Sequence, residues 1–222
     1  MRSVKTTIFL YQPMNLFWHG QTCIKLVDSD FTLLVDPFDN STGLRQPRYN
    51  ANLVLITSRD PAKDKSKKVA GDPFIVTGPG EYESGGTFVY GVASPVKDNN
   101  PVTTTMYRFE REGITFAHLG ELLEKLPEDK LEYLEGVDVL MLPVGGHGAL
   151  NAEQASKLIA EIEPRLIIPL RYKIPGLKAK LDPLSDFIKV MGVKSAEGQD
   201  KIKIIKKELP QDETKVIILN KV

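Results

Sequence analysis

Few residues in this chain have types and spacings suited to chemistry. His147 follows Gly145 and Gly146 at the end of an apolar run, and Glu121 closes the segment Ala117-His118-Leu119-Gly120. An imidazole and a carboxylate brought together can exchange a proton with a substrate, so these two form the best candidate general acid–base pair. A structural or solvent-facing role is the favoured reading of His147 itself. Ser58 is a remote nucleophile, because no base is assigned to it. Cys23 is the single cysteine, set among apolar residues with no obvious base, and is expected in the core. Gly78-Pro79-Gly80-Glu81 has the glycines of a phosphate cradle but neither the helix start nor the Lys-Ser/Thr pair, and reads as a turn. Lys65, Lys67 and Lys68 form a small basic patch expected to be a solvated face. His19 and His118 sit at a turn and a strand end, and buried histidines are usually satisfied by their neighbours.

The elements that must position these groups are mostly strands in the first half. Short apolar or alternating runs predict strands at 15–18, 23–27, 31–35, 53–56, 74–77, 88–92, 103–110 and 114–118. The run Leu53–Ile56 is continuously apolar, which suits a strand buried on both faces. Residues 36–52 read as a loop rich in Asn, Pro, Gly and Arg, and 63–68 as a charged loop or helical turn. The second half alternates. Helical spacing appears at 127–134, at 152–162 with Asn151 as N-cap, and at 183–190. Strands are predicted at 137–142, 166–170, 202–205 and 216–219. No repeat, low-complexity tract or linker divides the chain, so the pattern implies one mixed α/β domain with two sheets, a description that several folds satisfy.

Composition narrows the function classes. Lys+Arg and Asp+Glu are equal at 29 each, so no net field recruits nucleic acid or an anionic membrane. One cysteine excludes an internal disulfide and a thiolate zinc cluster, and suits a reducing compartment. There is no apolar run of membrane-spanning length, and the first residues are too polar for a signal peptide. A cytoplasmic protein without nucleic-acid or membrane partners is expected. A protein or small-molecule partner is unknown, and a homo-oligomer is left open.

Six motifs carry a resemblance. They are the opening MNLFWHGQTC from Met14, LVDPF ending at Phe38, GPGEYE from Gly78, AHLGE ending at Glu121, LPVGGH ending at His147, and IPLRYK from Ile168. In this order and spacing the chain resembles the lactonase-like branch of the metallo-β-lactamase superfamily, which includes proteins similar to L-ascorbate-6-phosphate lactonase. The resemblance implies an αββα sandwich of two mixed β-sheets with outer helices, in a single domain over 14–222 preceded by an extension at 1–13. It also implies that Asp36 anchors the loops on the metal side, and that His19 and His118 shape the site without binding metal.

The same resemblance locates a metal site whose ligands are changed. The superfamily motif His-x-His-x-Asp-His falls on Ser58, Asp60, Ala62 and Lys63. A further histidine position falls near Val96, the bridging aspartate on Glu121 and the last histidine on Arg171. Imidazole and carboxylate ligands are what a zinc pair needs. Only Asp60 and Glu121 keep any ligand chemistry, while Lys63 and Arg171 are cations. Those four charges sum to zero without metal, so internal ion pairs are expected in place of ions. Arg171 is expected to reach Glu121 or Asp60, with a bidentate contact.

The pocket of Asp36, Ser58, Asp60, Ala62, Lys63, Val96, Glu121, His147 and Arg171 is therefore expected to hold no metal and no cofactor. The expected function is a pseudoenzyme, a non-catalytic binding or interaction protein. The alternative is a divergent metal-dependent hydrolase, lactonase- or phosphodiesterase-like, with a rebuilt site. That site would hold one metal on Asp60, Glu121 and His147, or none.

Overall fold

The computed structural model describes residues 11–94, 104–194 and 197–222. Val96, Thr103 and most of the proposed extension therefore lie outside the described residues. Along the chain come β1 (Met14–Gly20), β2 (Cys23–Val27), β3 (Thr32–Val35), β4 (Tyr49–Asn50) and β5 (Leu53–Leu55). They are followed by β6 (Val69–Ala70), β7 (Phe74–Val76), β8 (Gly80–Ser84), β9 (Thr87–Ala93), β10 (Thr105–Arg111) and β11 (Ile114–His118). The second half holds α1 (Glu128–Leu131), β12 (Val139–Pro143), α2 (Ala152–Ile162), β13 (Leu166–Leu170), α3 (Leu184–Met191), β14 (Ile202–Ile204) and β15 (Lys215–Val216).

Two mixed sheets result. One has six strands in the order β14-β1-β2-β3-β5-β7, the other seven in the order β15-β13-β12-β11-β10-β9-β8. In each, antiparallel hairpins give way to parallel strands, β3-β5-β7 in the first sheet and β11-β12-β13-β15 in the second. Period-2 alternation explains how the first sheet serves two cores. Ile24, Leu33, Leu53 and Leu55 face the main core between the sheets, with Trp18, Phe109 and Phe116. Cys23, Leu34 and Val54 face the opposite side, under Phe38, Leu44 and Tyr49. That outer face is thus covered by the 36–52 loop with a 3-10 turn at Asn40–Thr42, not by a long helix. Helices α2 and α3 lie in the second half. Helix α2 starts at a complete capping box between Asn151 and Gln154, worth about 1 kcal/mol, and buries Ala155, Leu158 and Ile162. This is the αββα sandwich the motifs imply.

Besides the short paired strands β4 and β6, which were not predicted, three elements differ from expectation. The segment at Gly80 is not merely a turn: β8 pairs antiparallel with β9 at the sheet edge, where polar residues such as Glu81 and Glu83 are tolerated on the exposed side. The helix predicted at 127–134 is one short turn, α1, continued by a 3-10 turn at Glu132–Leu134. The last strand is shortened because the chain leaves the second sheet after Val216 and crosses to the first. There Lys221 bridges to Trp18, and the Val222 N–H donates to the Trp18 carbonyl. At the start of the described chain, the Gln12 N–H donates to Glu112 Oε2 at 2.8 Å. Among the described residues no helix is long and apolar enough to cross a membrane.

Candidate active site: an ion-paired cleft at the strand ends

The site is built at the carboxyl ends of strands that run parallel to their neighbours. Asp36 follows β3, Thr57 and Ser58 follow β5, Glu121 follows β11, Gly145 to His147 follow β12, and Arg171 follows β13. Loops after parallel strands converge at one edge of a sheet, which is why distant residues meet there. A cleft of about 160 Å³ opens between them, lined by Asp36, Thr57, Ser58, Lys63, Lys65 and Glu121 among others. Four non-glycine residues around it have φ near +50°: Gln21, Asp36, His147 and Arg171. Such backbone costs about 1–3 kcal/mol per residue and persists where the surroundings over-determine it, commonly at functional sites. Gly145 is required here by close approach, since a Cβ would overlap the Arg171 carbonyl oxygen.

Glu121 is the centre of the charge arrangement. Its Oε2 pairs with the Lys63 ammonium and its Oε1 accepts from Arg171 Nε at 3.1 Å. Arg171 continues inward, its other two nitrogens donating to the Gly146 carbonyl at 2.7 Å and the His147 carbonyl at 3.1 Å. The side chains are graded in exposure, Arg171 9%, Glu121 21% and Lys63 48%. Arg171 is thus a buried strut and Lys63 a cation facing the cleft. Burial pushes the Glu121 carboxyl up, but Arg171 and Lys63 outweigh it and hold the group below the usual glutamate range.

Asp36 lies on the cleft floor. The Thr57 N–H donates to its Oδ1 at 2.7 Å and the Thr57 hydroxyl to its Oδ2 at 2.6 Å. Burial pushes this carboxyl up to about 6, against the hydrogen bonds from Thr57 and Thr22 and with the help of the nearby Glu121 charge. His118 is fully buried beside it in the chain of contacts. Its Nε2–H donates to the Thr22 carbonyl at 2.8 Å and its Nδ1 accepts from the Gly120 N–H at 3.1 Å. Burial drives its pKa down to about 4.

These two shifts have opposite signs in stability. Asp36 binds its proton more tightly when folded, so its contribution is present in acid and lost as pH rises through about 6. His118 binds its proton less tightly when folded, so its contribution is present above 6.5 and lost as pH falls toward about 4. The urea midpoint of the wild-type protein is expected to change little between these limits. Asp36→Asn removes one arm, and its midpoint is expected to fall steadily with acid. Equal pH slopes for the two proteins would refute the assignment.

Ser58 and Ala62 line the cleft, but several other expected members lie elsewhere or make other contacts. Asp60 turns onto its own loop, accepting from the Ala62 N–H at 2.9 Å, and takes no part in the ion pairs. The compensating acid is therefore Glu121 alone, with Asp36 behind it. Ala62 is exposed and contributes its carbonyl to Lys65 Nζ at 2.7 Å. The Ser58 hydroxyl accepts from the Asp60 N–H at 3.2 Å. The His147 imidazole pairs with Asp182 at 3.2 Å, not with Glu121, so the acid–base pair expected from sequence does not form. His19 Nδ1 bonds the Val222 carbonyl, away from the cleft. Val96 lies outside the described residues. The Arg171 contact to Glu121 is also single, because the guanidinium divides its donors among three acceptors.

Two participants escaped the sequence reading. Thr57 supplies two hydrogen bonds to Asp36; its position directly after the β5 apolar run was the available signal. Lys65 was grouped with a solvated patch, but its ammonium bonds the Ala62 carbonyl and faces Asp39 at 3.5 Å on the cleft wall. Lys67 and Lys68 are exposed as expected.

A metal-dependent hydrolase from Thermococcus onnurineus is 31% identical to this chain over 91 residues, 40% of this chain and 39% of that protein. The match thus spans about two fifths of that relative's length. A metal-dependent hydrolase from Thermoplasma acidophilum is 24% identical over 189 residues, covering 72% of this chain and 84% of its own. Among solved structures, a Thermotoga maritima protein provisionally named a zinc-dependent hydrolase of the metallo-β-lactamase superfamily has a TM-score of 0.78 at 29% identity. It covers 93% of this chain and 98% of its own.

These relatives overturn the expectation of a pseudoenzyme. They are named as hydrolases, and nothing among them points to a chain that has given up catalysis. The internal ion pairs expected in the pocket do form, with Lys63 and Arg171 both on Glu121. The single-metal alternative on Asp60, Glu121 and His147 is corrected too, because those three side chains do not converge. With the Beta-lactamase superfamily domain matched over residues 15–171 and the sandwich in place, this chain belongs to the metallo-β-lactamase superfamily.

Proposed function

We propose that this protein is a hydrolase of small anionic esters, lactonase- or phosphodiesterase-like, acting in the cleft between Asp36 and Lys63. The observation that carries the reading is one cleft lined by both the Asp36 carboxyl, which burial pushes up to about 6, and the half-exposed Lys63 side chain. A general base is most effective when its pKa lies near the working pH. Asp36 takes a proton from water as it attacks the ester, and returns it to the departing alkoxide as the ester bond breaks. Lys63, which uses one N–H on Glu121, has donors left for negative charge developing on the substrate. The cavity has room for about five waters, so it receives the reacting group and leaves the rest of the substrate outside.

The zinc pair of the superfamily does not fit the residues present. Among the described residues no three His, Cys, Asp or Glu side chains are placed to hold a metal ion. Both oxygens of Glu121 are already taken by cations. No step here is therefore assigned to a metal.

The test is turnover of bis(p-nitrophenyl) phosphate and a phosphorylated lactone across pH. The rate constant kcat/KM is expected to rise through an apparent pKa of about 6 and to level off above it. Asp36→Asn should lower it by about 100-fold or more. Absence of turnover above the uncatalysed rate on either substrate, or a wild-type pH profile retained in Asp36→Asn, rejects this reading.

A further inference from the structure

We infer that Lys63 and Arg171 supply the positive charge that bound metal supplies in the metal-dependent relatives, so that the cleft handles anions without a divalent ion. The inference rests on the cleft assigned above but not on turnover. Three observations converge. First, each oxygen of Glu121 faces its own cation, Lys63 on one side and Arg171 on the other, so the carboxylate bridges two positive charges. Second, the Gly146 and His147 carbonyls are both occupied by the Arg171 guanidinium. Third, Arg171 is buried and cannot shed its proton within a protein, so its charge is permanent. A divalent ion entering beside Glu121 would meet a fixed positive charge and oxygens that already accept from cations. Displacing Arg171 would leave two carbonyls and a carboxylate without partners, which burial makes costly.

The two cations divide the work. Arg171 has spent its fork on protein acceptors and holds Glu121 in place. Lys63, half exposed, lines the cleft with donors left, and Lys65 beside it is engaged by the Ala62 carbonyl and faces Asp39. The ligand this suits is a small oxyanion such as a phosphoryl group, bound by charge-assisted hydrogen bonds.

The test uses the full chain, purified from zinc- and manganese-supplemented culture without chelator, and inorganic phosphate as the probe. Elemental analysis is expected to find far less than one zinc, manganese or iron per chain, and zinc should not raise the melting temperature. Phosphate binding, followed by calorimetry, should persist in EDTA. In Lys63→Ala or Lys63→Gln it should weaken by about tenfold or more, the usual effect of losing a charge-assisted hydrogen bond. Stoichiometric metal in the wild-type protein overturns the inference. So does phosphate binding that needs zinc, is indifferent to both Lys63 variants, or is absent altogether. These readouts leave the hydrolase reading to stand or fall separately, since none of them measures turnover.

Discussion

Arg111→Ala is expected to destabilise the protein by about 3–5 kcal/mol, the cost of stranding the partner of a buried ion pair. Arg111 ends β10 in one sheet and pairs with Asp28, which follows β2 in the other. Their side chains are only 10% and 2% exposed. The guanidinium also donates to the Gly85 carbonyl at 2.6 Å and the Thr87 hydroxyl at 2.9 Å, and its centre lies 4.0 Å from the Phe31 ring centroid. One side chain thus ties both sheets and the β8–β9 hairpin together. Alanine removes all of these contacts and leaves the Asp28 carboxylate with little water. Urea unfolding measures the loss directly. The double variant Asp28→Asn/Arg111→Met should lose less than the sum of the two single changes, since it strands no charge. A loss below about 1 kcal/mol in Arg111→Ala, the range of an exposed pair, would show that water reaches this clamp.

The second large effect is at Arg171. Arg171→Ala should cost about 3 kcal/mol, at the low end of the range for a broken buried pair. The value is tempered because Lys63 remains beside Glu121, yet the Gly146 and His147 carbonyls both lose their donor. Arg171→Lys keeps the charge but cannot reach three divergent acceptors, and should lose about 1–2 kcal/mol. Arg171→His is not expected to create a zinc site, because Ala62 and Lys63 still stand at the neighbouring ligand positions. Thermal and urea unfolding of the three variants should rank alanine below lysine and lysine below wild type. Equal stability of the alanine variant and wild type would mean that the guanidinium is not a strut.

Local chemistry was legible in the sequence. Helix α2 has the observed limits of its predicted span because the Asn151 cap, the Gln154 partner and the apolar spacing all lie within a few residues of one another. The run that became β13 was read with its observed ends, since burial on both faces makes a strand apolar throughout. Motif order along the chain pointed to the sandwich, and with it to the loops that carry Asp36, Glu121 and Arg171. Strand β8 was read as a turn because an edge strand needs no apolar face, and its pairing with β9 is a matter of neighbours in space.

What the sequence by itself determined was the set of charges near the positions where the resemblance places metal ligands. Which charge meets which was decided only by the tertiary structure. Asp60 and Glu121 looked equivalent as acids, yet Asp60 satisfies its own turn while Glu121 reaches cations 58 and 50 positions away in the chain. His147 looked like a partner for Glu121, but its positive φ and its loop turn the ring to Asp182 and present its carbonyl to Arg171 instead. The Asp36 carboxyl, an ordinary acid in the sequence, acquires its raised pKa from burial that the surrounding loops create together. Hydrogen bonds and desolvation act through space over a few ångströms, and residue spacing along the chain does not encode those distances.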